Sequence, residues 1–214
     1  SKFMLEIKNI IFELGGVIIN LDIPKTINEF NKITPEPFEN VYTQLKQDDV
    51  FDKFDKGEIT EEDFFNKINV LLNSNLSFEK MKFAWNAMLL DFPKNRLDLL
   101  LKLKNRYRIF LLSNTNETHI TEFEASLFEN HGFKNLDSFF EKVYYSCRIG
   151  MRKPNSDIFE FVLNENGLNP EETLFIDDTI IHVNGASQIG INAYLLDQNR
   201  EVELLLIENG IVTN

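Results

Sequence analysis

Five short apolar runs, each broken off by polar or glycine residues, constrain the fold of this chain more than any other feature. Residues 7–12, with Ile7, Ile10, Ile11 and Phe12, end at Gly15-Gly16, and residues 107–112 end at Ser113-Asn114. Residues 143–145 form a short third run, residues 173–176 end at Asp177-Asp178, and residues 193–196 form a fifth. Runs this short and apolar suit strands buried on both faces. Helical stripes separate the later ones. Leu97, Leu100 and Leu101 share a face within residues 95–106. Ile158, Phe159, Val162 and Leu163 share another within residues 156–166, with Gly167 as a C-terminal stop and Pro170 just beyond. Strands alternating with helices predict an α/β fold whose parallel sheet is covered on both faces. Right-handed crossovers then gather the loops after the strands at one edge, where ligands of such folds bind.

Between residues 21 and 92 the strand signal disappears. Phe64, Phe65, Ile68, Leu71 and Leu72 are spaced for one helix face, opened by Thr60 with Asp63 three residues on. Phe78, Met81, Trp85, Met88 and Leu89 form a second face behind Ser77 as N-cap. Ile27, Phe30 and Ile33 suggest a third, and Phe38, Val41, Tyr42 and Leu45 a fourth. An aromatic and methionine stripe of this kind reads as packing. The chain holds 20 phenylalanines, which argues for more than one hydrophobic cluster. The economical organisation is a helical bundle, residues 21–92, inserted between the first and second strands of a core made of residues 1–20 and 93–214.

Composition excludes some partners. The net charge of −12, from 22 basic and 34 acidic residues, repels nucleic acid and anionic membranes unless cations cluster. Lys102, Lys104, Arg106 and Arg108 come closest, and read as the solvated side and C-terminal end of a helix. The single cysteine, Cys147, allows no intramolecular disulfide, so a reducing compartment, by default the cytoplasm, is expected. No apolar run reaches the roughly 18 residues of a membrane span. The stretch of residues 10–21 contains Glu13 and lacks a basic leader, unlike a secretory signal. Ser1 to Phe3, ahead of Met4, read as a leftover of cloning.

The chemistry is to be sought where apolar strands end in polar groups. Glu13 directly follows the first run, so its carboxylate belongs at the sheet edge, and the glycines behind it let backbone approach a ligand closely; an ordinary turn with a solvated glutamate looks the same. Ser113-Asn114-Thr115-Asn116 fits an anion site and an ordinary helix N-cap equally well. Pro154 holds Lys153 in extended geometry, from which its ammonium can reach inward to a phosphate or outward to water. Asp177-Asp178 places two adjacent carboxylates after an apolar strand, where they repel each other and call for a compensating charge. A hard divalent cation, magnesium above all, would supply it, with Glu13 as a further acidic ligand.

These four stations, in this order, resemble the four motifs of the haloacid dehalogenase (HAD)-like hydrolase superfamily. Phe12-Glu13-Leu14-Gly15-Gly16-Val17 is similar to its first motif, Ser113-Asn114 to its second, Arg152-Lys153-Pro154 to its third and Ile176-Asp177-Asp178 to its fourth. The resemblance covers essentially the whole chain and implies a Rossmann-like parallel sheet core with an α-helical cap inserted at residues 21–92. It implies that the carboxylate of the first motif attacks a phosphate monoester to form an acyl-phosphate that water hydrolyses. Ser113 and Asn114 would bind the phosphoryl group and Lys153 would neutralise it. Glu13, Asp177, Asp178 and the backbone carbonyl of Gly15 would hold Mg2+. The cap would close over a small phosphorylated metabolite.

Two positions depart from the family pattern. Glu13 stands where the nucleophilic aspartate is expected, and Gly15 where many members carry an acid/base aspartate. The expectation is therefore a magnesium-dependent phosphatase that turns over slowly, or else a protein that binds a phosphorylated ligand or a protein partner without turnover. Dehalogenation leaves the Asp177-Asp178 pair without a purpose, and a sugar-phosphate mutase needs the acid that Gly15 replaces. His119, His131 and His182 read as surface or packing residues, and Cys147 follows a strand with no histidine partner, so a catalytic thiol is not expected. Oligomeric state is not written in the chain.

Overall fold

The computed structural model describes residues 6–213; Ser1 to Phe3 and the beginning of the expected core segment lie outside the described residues. Five strands form one sheet, in the order β3-β2-β1-β4-β5, with every pair parallel. They are β1 (Asn9–Phe12), β2 (Arg108–Ser113), β3 (Lys142–Tyr145), β4 (Thr173–Asp177) and β5 (Asn192–Leu195). Every residue of β1 and β4 is buried, as parallel strands covered on both faces require. Helices α6 (Lys94–Leu103), α7 (Glu117–His131), α8 (Ser146–Ile149), α9 (Ser156–Asn166), α10 (Ile180–Gln188) and α11 (Val202–Glu208) make up the connections and the C-terminal end.

Two apolar clusters cover the sheet's opposite faces. Ile10, Phe12, Leu111 and Ile176 belong to one, while Ile11, Phe110, Leu112 and Phe175 belong to the other, as the two-residue period of strands dictates. A third cluster lies in the segment between β1 and α6, and answers the abundance of phenylalanine. There α1 (Ile23–Ile33), α2 (Phe38–Gln47), α3 (Val50–Asp55), α4 (Glu61–Leu72) and α5 (Phe78–Asn86) bury Phe30, Phe38, Phe54, Phe64, Phe65 and Trp85. Phe30 stacks on Phe38 with centroids 3.9 Å apart, and Phe54 on Phe64 at 4.2 Å. The Thr60/Asp63 capping box and the Ser77 N-cap form as the sequence predicts. The chain passes into and out of this segment along two antiparallel strips, joined by Asn20 N–H to Asp91 O at 3.0 Å and Asp22 N–H to Met88 O at 2.8 Å.

Two expectations are corrected. Arg108 belongs to β2, where its guanidinium pairs with Glu141, and not to the end of a helix. Helix α3 falls in a stretch for which no helix face was expected; at six residues it is too short to show a period. Among the described residues no helix is long and apolar enough to cross a membrane.

Candidate active site

The sheet register brings the expected residues together. Phe12 pairs with Leu111 on one side and Ile176 on the other, so Glu13 stands level with Leu112 and Asp177, and Ser113 one step beyond. The connections from β1 and β4 depart in opposite directions, which opens a crevice at the carboxyl ends of the strands.

Lys153 lies at the centre and is fully buried. Its ammonium donates to Glu13 Oε2, to Asp177 Oδ2 at 2.7 Å and to the Leu112 carbonyl at 2.8 Å, which occupies all three of its protons. Burial pulls the lysine pKa down, but Asp177 and Glu13 outweigh it and hold the group above the ordinary lysine range. Asn114 fixes the lysine backbone from both sides, accepting from Lys153 N–H at 3.0 Å and donating to its carbonyl at 2.9 Å. The Asn114 carboxamide is thus engaged with Lys153, whereas the sequence reading aimed it at a phosphate.

The Glu13 carboxylate folds back over its own turn. Oε1 accepts from Leu14 N–H at 2.7 Å and Gly15 N–H at 3.3 Å, while Oε2 meets Lys153. Asp177 is also fully buried; Oδ1 accepts from Thr179 N–H at 2.9 Å, and Oδ2 lies 3.1 Å from His182 Nδ1. Burial works to raise the Asp177 pKa, but Lys153 and His182 together hold it well below the usual carboxylate range. Asp178 behaves oppositely. Burial first, then the charges of Glu13 and Asp177, push it up to about 7.

That imbalance bears on the expected cation. Two carboxylates share one ammonium, and Asp178, which accepts from Thr179 Oγ1 at 3.1 Å, resists ionisation because it is buried beside Glu13 and Asp177. Ligand atoms of Glu13, Asp177 and His182 lie within 4.8 Å of one another, so the donor set is compact: two carboxylates and one imidazole nitrogen, with Asp178 beside it. It fits a hard dication such as Mg2+. Asp178 is seated closely over Gly16, whose φ is +75; a Cβ built there would fall 2.2 Å from Asp178 Oδ2. Gly16→Ala is therefore expected to displace this carboxylate and cost about 1–3 kcal/mol, read as a lower denaturation midpoint with weaker Mg2+ binding by calorimetry.

Glu13, Gly15, Ser113, Asn114 and Asp178 line a cavity of about 760 Å³, and Lys153 and Asp177 lie buried beneath it. Opposite them the cavity is bounded by Tyr42, Lys46, Asp49, Asp52, Asp55 and Trp85 of the helical segment. Bonds cross between the two walls: Arg152 pairs with Asp52 at 3.2 Å and Asp55 at 3.3 Å, and Thr118 donates to Glu61 at 2.7 Å. His119 stacks on Trp85 with centroids 4.6 Å apart, and its Nε2 lies 3.1 Å from the Trp85 carbonyl. Burial drives its pKa down to about 4, so the ring is a neutral packing group, as expected. Burial pushes the Cys147 thiol up to about 12, which removes it as a nucleophile near neutral pH.

The sequence reading missed three side chains of this site. Arg152, beside the motif lysine, pairs with Asp52 and Asp55 across the cavity. His182, read as surface or packing, touches Asp177; its only signal was its position at the start of the helix after Asp177-Asp178. Asp55 sits on the unforeseen α3.

A five-stranded parallel sheet with two acidic strand ends and one buried lysine meeting in a single crevice is the arrangement that the resemblance to HAD-like proteins implies. The chain belongs to the haloacid dehalogenase-like hydrolase family, whose model matches residues 7–190. It is 29% identical over 188 residues to a D-ribitol-5-phosphate phosphatase of Bacteroides thetaiotaomicron, spanning 88% of this chain and 91% of that protein. The crystal structure of a HAD family enzyme from Bacteroides thetaiotaomicron superposes with a TM-score of 0.87 at 36% identity, covering 94% of this chain and 99% of that one. A structure of that enzyme in complex with magnesium and inorganic phosphate gives 0.84 at 37% identity, covering 93% and 98%.

Proposed function

We propose that this chain is a magnesium-dependent phosphomonoesterase for a small, hydroxyl-rich phosphorylated metabolite, with its turnover held low by Glu13. The observation that carries the reading is the contact of Lys153 with both Glu13 and Asp177 beside Ser113 at one end of the sheet. The similarity to a phosphatase acting on D-ribitol 5-phosphate supports the substrate class, as does a cavity wall rich in groups that bond hydroxyls: Tyr42, Lys46, Asp49 and Asp52.

In this reading Glu13, Asp177, Asp178 and the Gly15 carbonyl hold Mg2+, which when bound offsets charge on the phosphoryl oxygens. Ser113 Oγ orients the phosphoryl group, and the Leu14 and Gly15 N–H groups join it once the Glu13 carboxylate swings off them. Lys153 keeps Glu13 aimed, and Asn114 keeps Lys153 in place. Glu13 attacks phosphorus and forms a glutamyl-phosphate, which water then hydrolyses. Residues 21–92 act as a cap that excludes bulk water and selects the leaving group.

Phosphate release from a panel of polyol and sugar phosphates tests this. It is expected to require Mg2+ and to fall by about 100-fold or more in Asp177→Asn. The hold of the Leu14 and Gly15 amides on Glu13 favours a second reading, a binding protein that does not turn over. Calorimetric binding of Mg2+ and phosphate, with release no greater than in Asp177→Asn, would select it.

A further inference from the structure

The alcohol of an aliphatic phosphate ester leaves as an alkoxide and needs a proton at that moment. Gly15 supplies none. The remaining titratable groups around the cavity narrow quickly: His119 is neutral and held by Trp85 and Asn116, and Asp178 belongs to the carboxylate cluster.

Asp55 remains. It closes α3 and faces the same cavity as Glu13 from the opposite wall. Its Oδ2 is held 3.3 Å from Arg152, the residue next to the buried Lys153. Its position is set tightly as well. Gly57, at φ +70, brings the chain just after α3 so close to α8 that a Cβ there would fall 2.3 Å from the Cys147 carbonyl oxygen. The groups that face Asp55 are Arg152, Asp52 on its own helix, Glu13 across the cavity, Tyr42 from α2 and Cys147 from α8.

We propose that Asp55 is the acid/base of this site, a catalytic carboxyl supplied by the helical segment in place of one on the β1 turn; the proposal rests on the phosphomonoesterase reading. As the bond from phosphorus to the ester oxygen breaks and the Glu13–phosphorus bond forms, the Asp55 carboxyl gives its proton to that oxygen, and the neutral alcohol leaves. Water then attacks phosphorus and gives a proton to the Asp55 carboxylate, and Glu13 departs with the electron pair. One ester and one water yield one alcohol and one phosphate, with Asp55 protonated again. Burial foremost, opposed by Arg152 and assisted by Asp52 and Glu13, raises Asp55 to about 7, so both forms are populated near neutral pH.

The test compares Asp55→Asn with the unaltered residue, each in the protein as it stands and in a Glu13→Asp background, on p-nitrophenyl phosphate and a pentitol phosphate. A nitrophenolate leaves without a proton. In Asp55→Asn, kcat/KM for the pentitol ester is expected to fall by about 100-fold or more while the aryl ester changes by less than about 10-fold. The loss of kcat/KM above about pH 7, where Asp55 gives up its proton, is expected to vanish in that variant. Asp55→Ala regaining pentitol-ester activity on addition of formate would support the same role. Equal losses on both esters, or none on either, would overturn it while leaving the phosphatase reading intact. No release from either ester by any form would overturn both.

Discussion

Replacing Glu13 with aspartate is expected to raise magnesium-dependent phosphate release by about 100-fold or more, because in-line attack requires the reacting atoms about 3–3.5 Å apart. Glutamate carries its carboxylate one methylene too far, and the structure shows where the excess goes. It bends back so that Oε1 takes the Leu14 and Gly15 N–H groups, which in our account serve the phosphoryl oxygens. Aspartate, shorter by about 1 Å, would leave these donors to the substrate. The comparison is made as kcat/KM on a phosphate-ester panel, with Asp177→Asn as the floor. Equal, floor-level rates in both proteins would transfer the site from catalysis to binding.

Lys153→Met is expected to abolish that activity and to destabilise the fold by about 3–5 kcal/mol, since it strands two buried carboxylates. For a chain of this length the melting temperature should fall by roughly 10 °C at pH 7. The pH dependence separates this cause from lost packing. In the parent, Asp177 has a lowered pKa, so the stability it contributes is fully present above the unfolded value and lost only as pH falls through the folded one. Without the ammonium, the burial of Asp177 is opposed by His182 and no longer by Lys153, so the cost of its charge grows as pH rises. The deficit relative to the parent should therefore shrink on going from pH 8 to pH 5. A deficit independent of pH would assign Lys153 a packing role only.

Much of this architecture was legible because a parallel sheet writes itself as apolar runs. The end of each run then names the next residue as a candidate: Glu13 after β1, Ser113 at the end of β2 and Asp177 at the end of β4. Periodicity found α4, α5 and α9 with their caps for the same reason, a continuous apolar face long enough to repeat. What escaped was short or relational. Helix α3 has six residues, and Asp55 on it acquires meaning only by facing Arg152, 97 positions away. Asn114 carried the right residue type, but its partner is the Lys153 backbone, a pairing that depends on how the loops after β2 and β3 approach each other. The direction in which the Glu13 carboxylate bends is likewise a three-dimensional fact, since Leu14 and Gly15 offer their amides in any turn.

The central claim is that Glu13, Asp177 and their neighbours form one oxygen-lined cation and phosphoryl site. A crystal structure of the protein grown with Mn2+ and orthophosphate, phased on the metal's anomalous signal, tests it most directly. One cation is expected on the Glu13 and Asp177 carboxylates, with one phosphate oxygen beside it and another on Ser113. A cation held elsewhere, or phosphate absent from this crevice while Glu13 stays on Leu14 and Gly15, would contradict it.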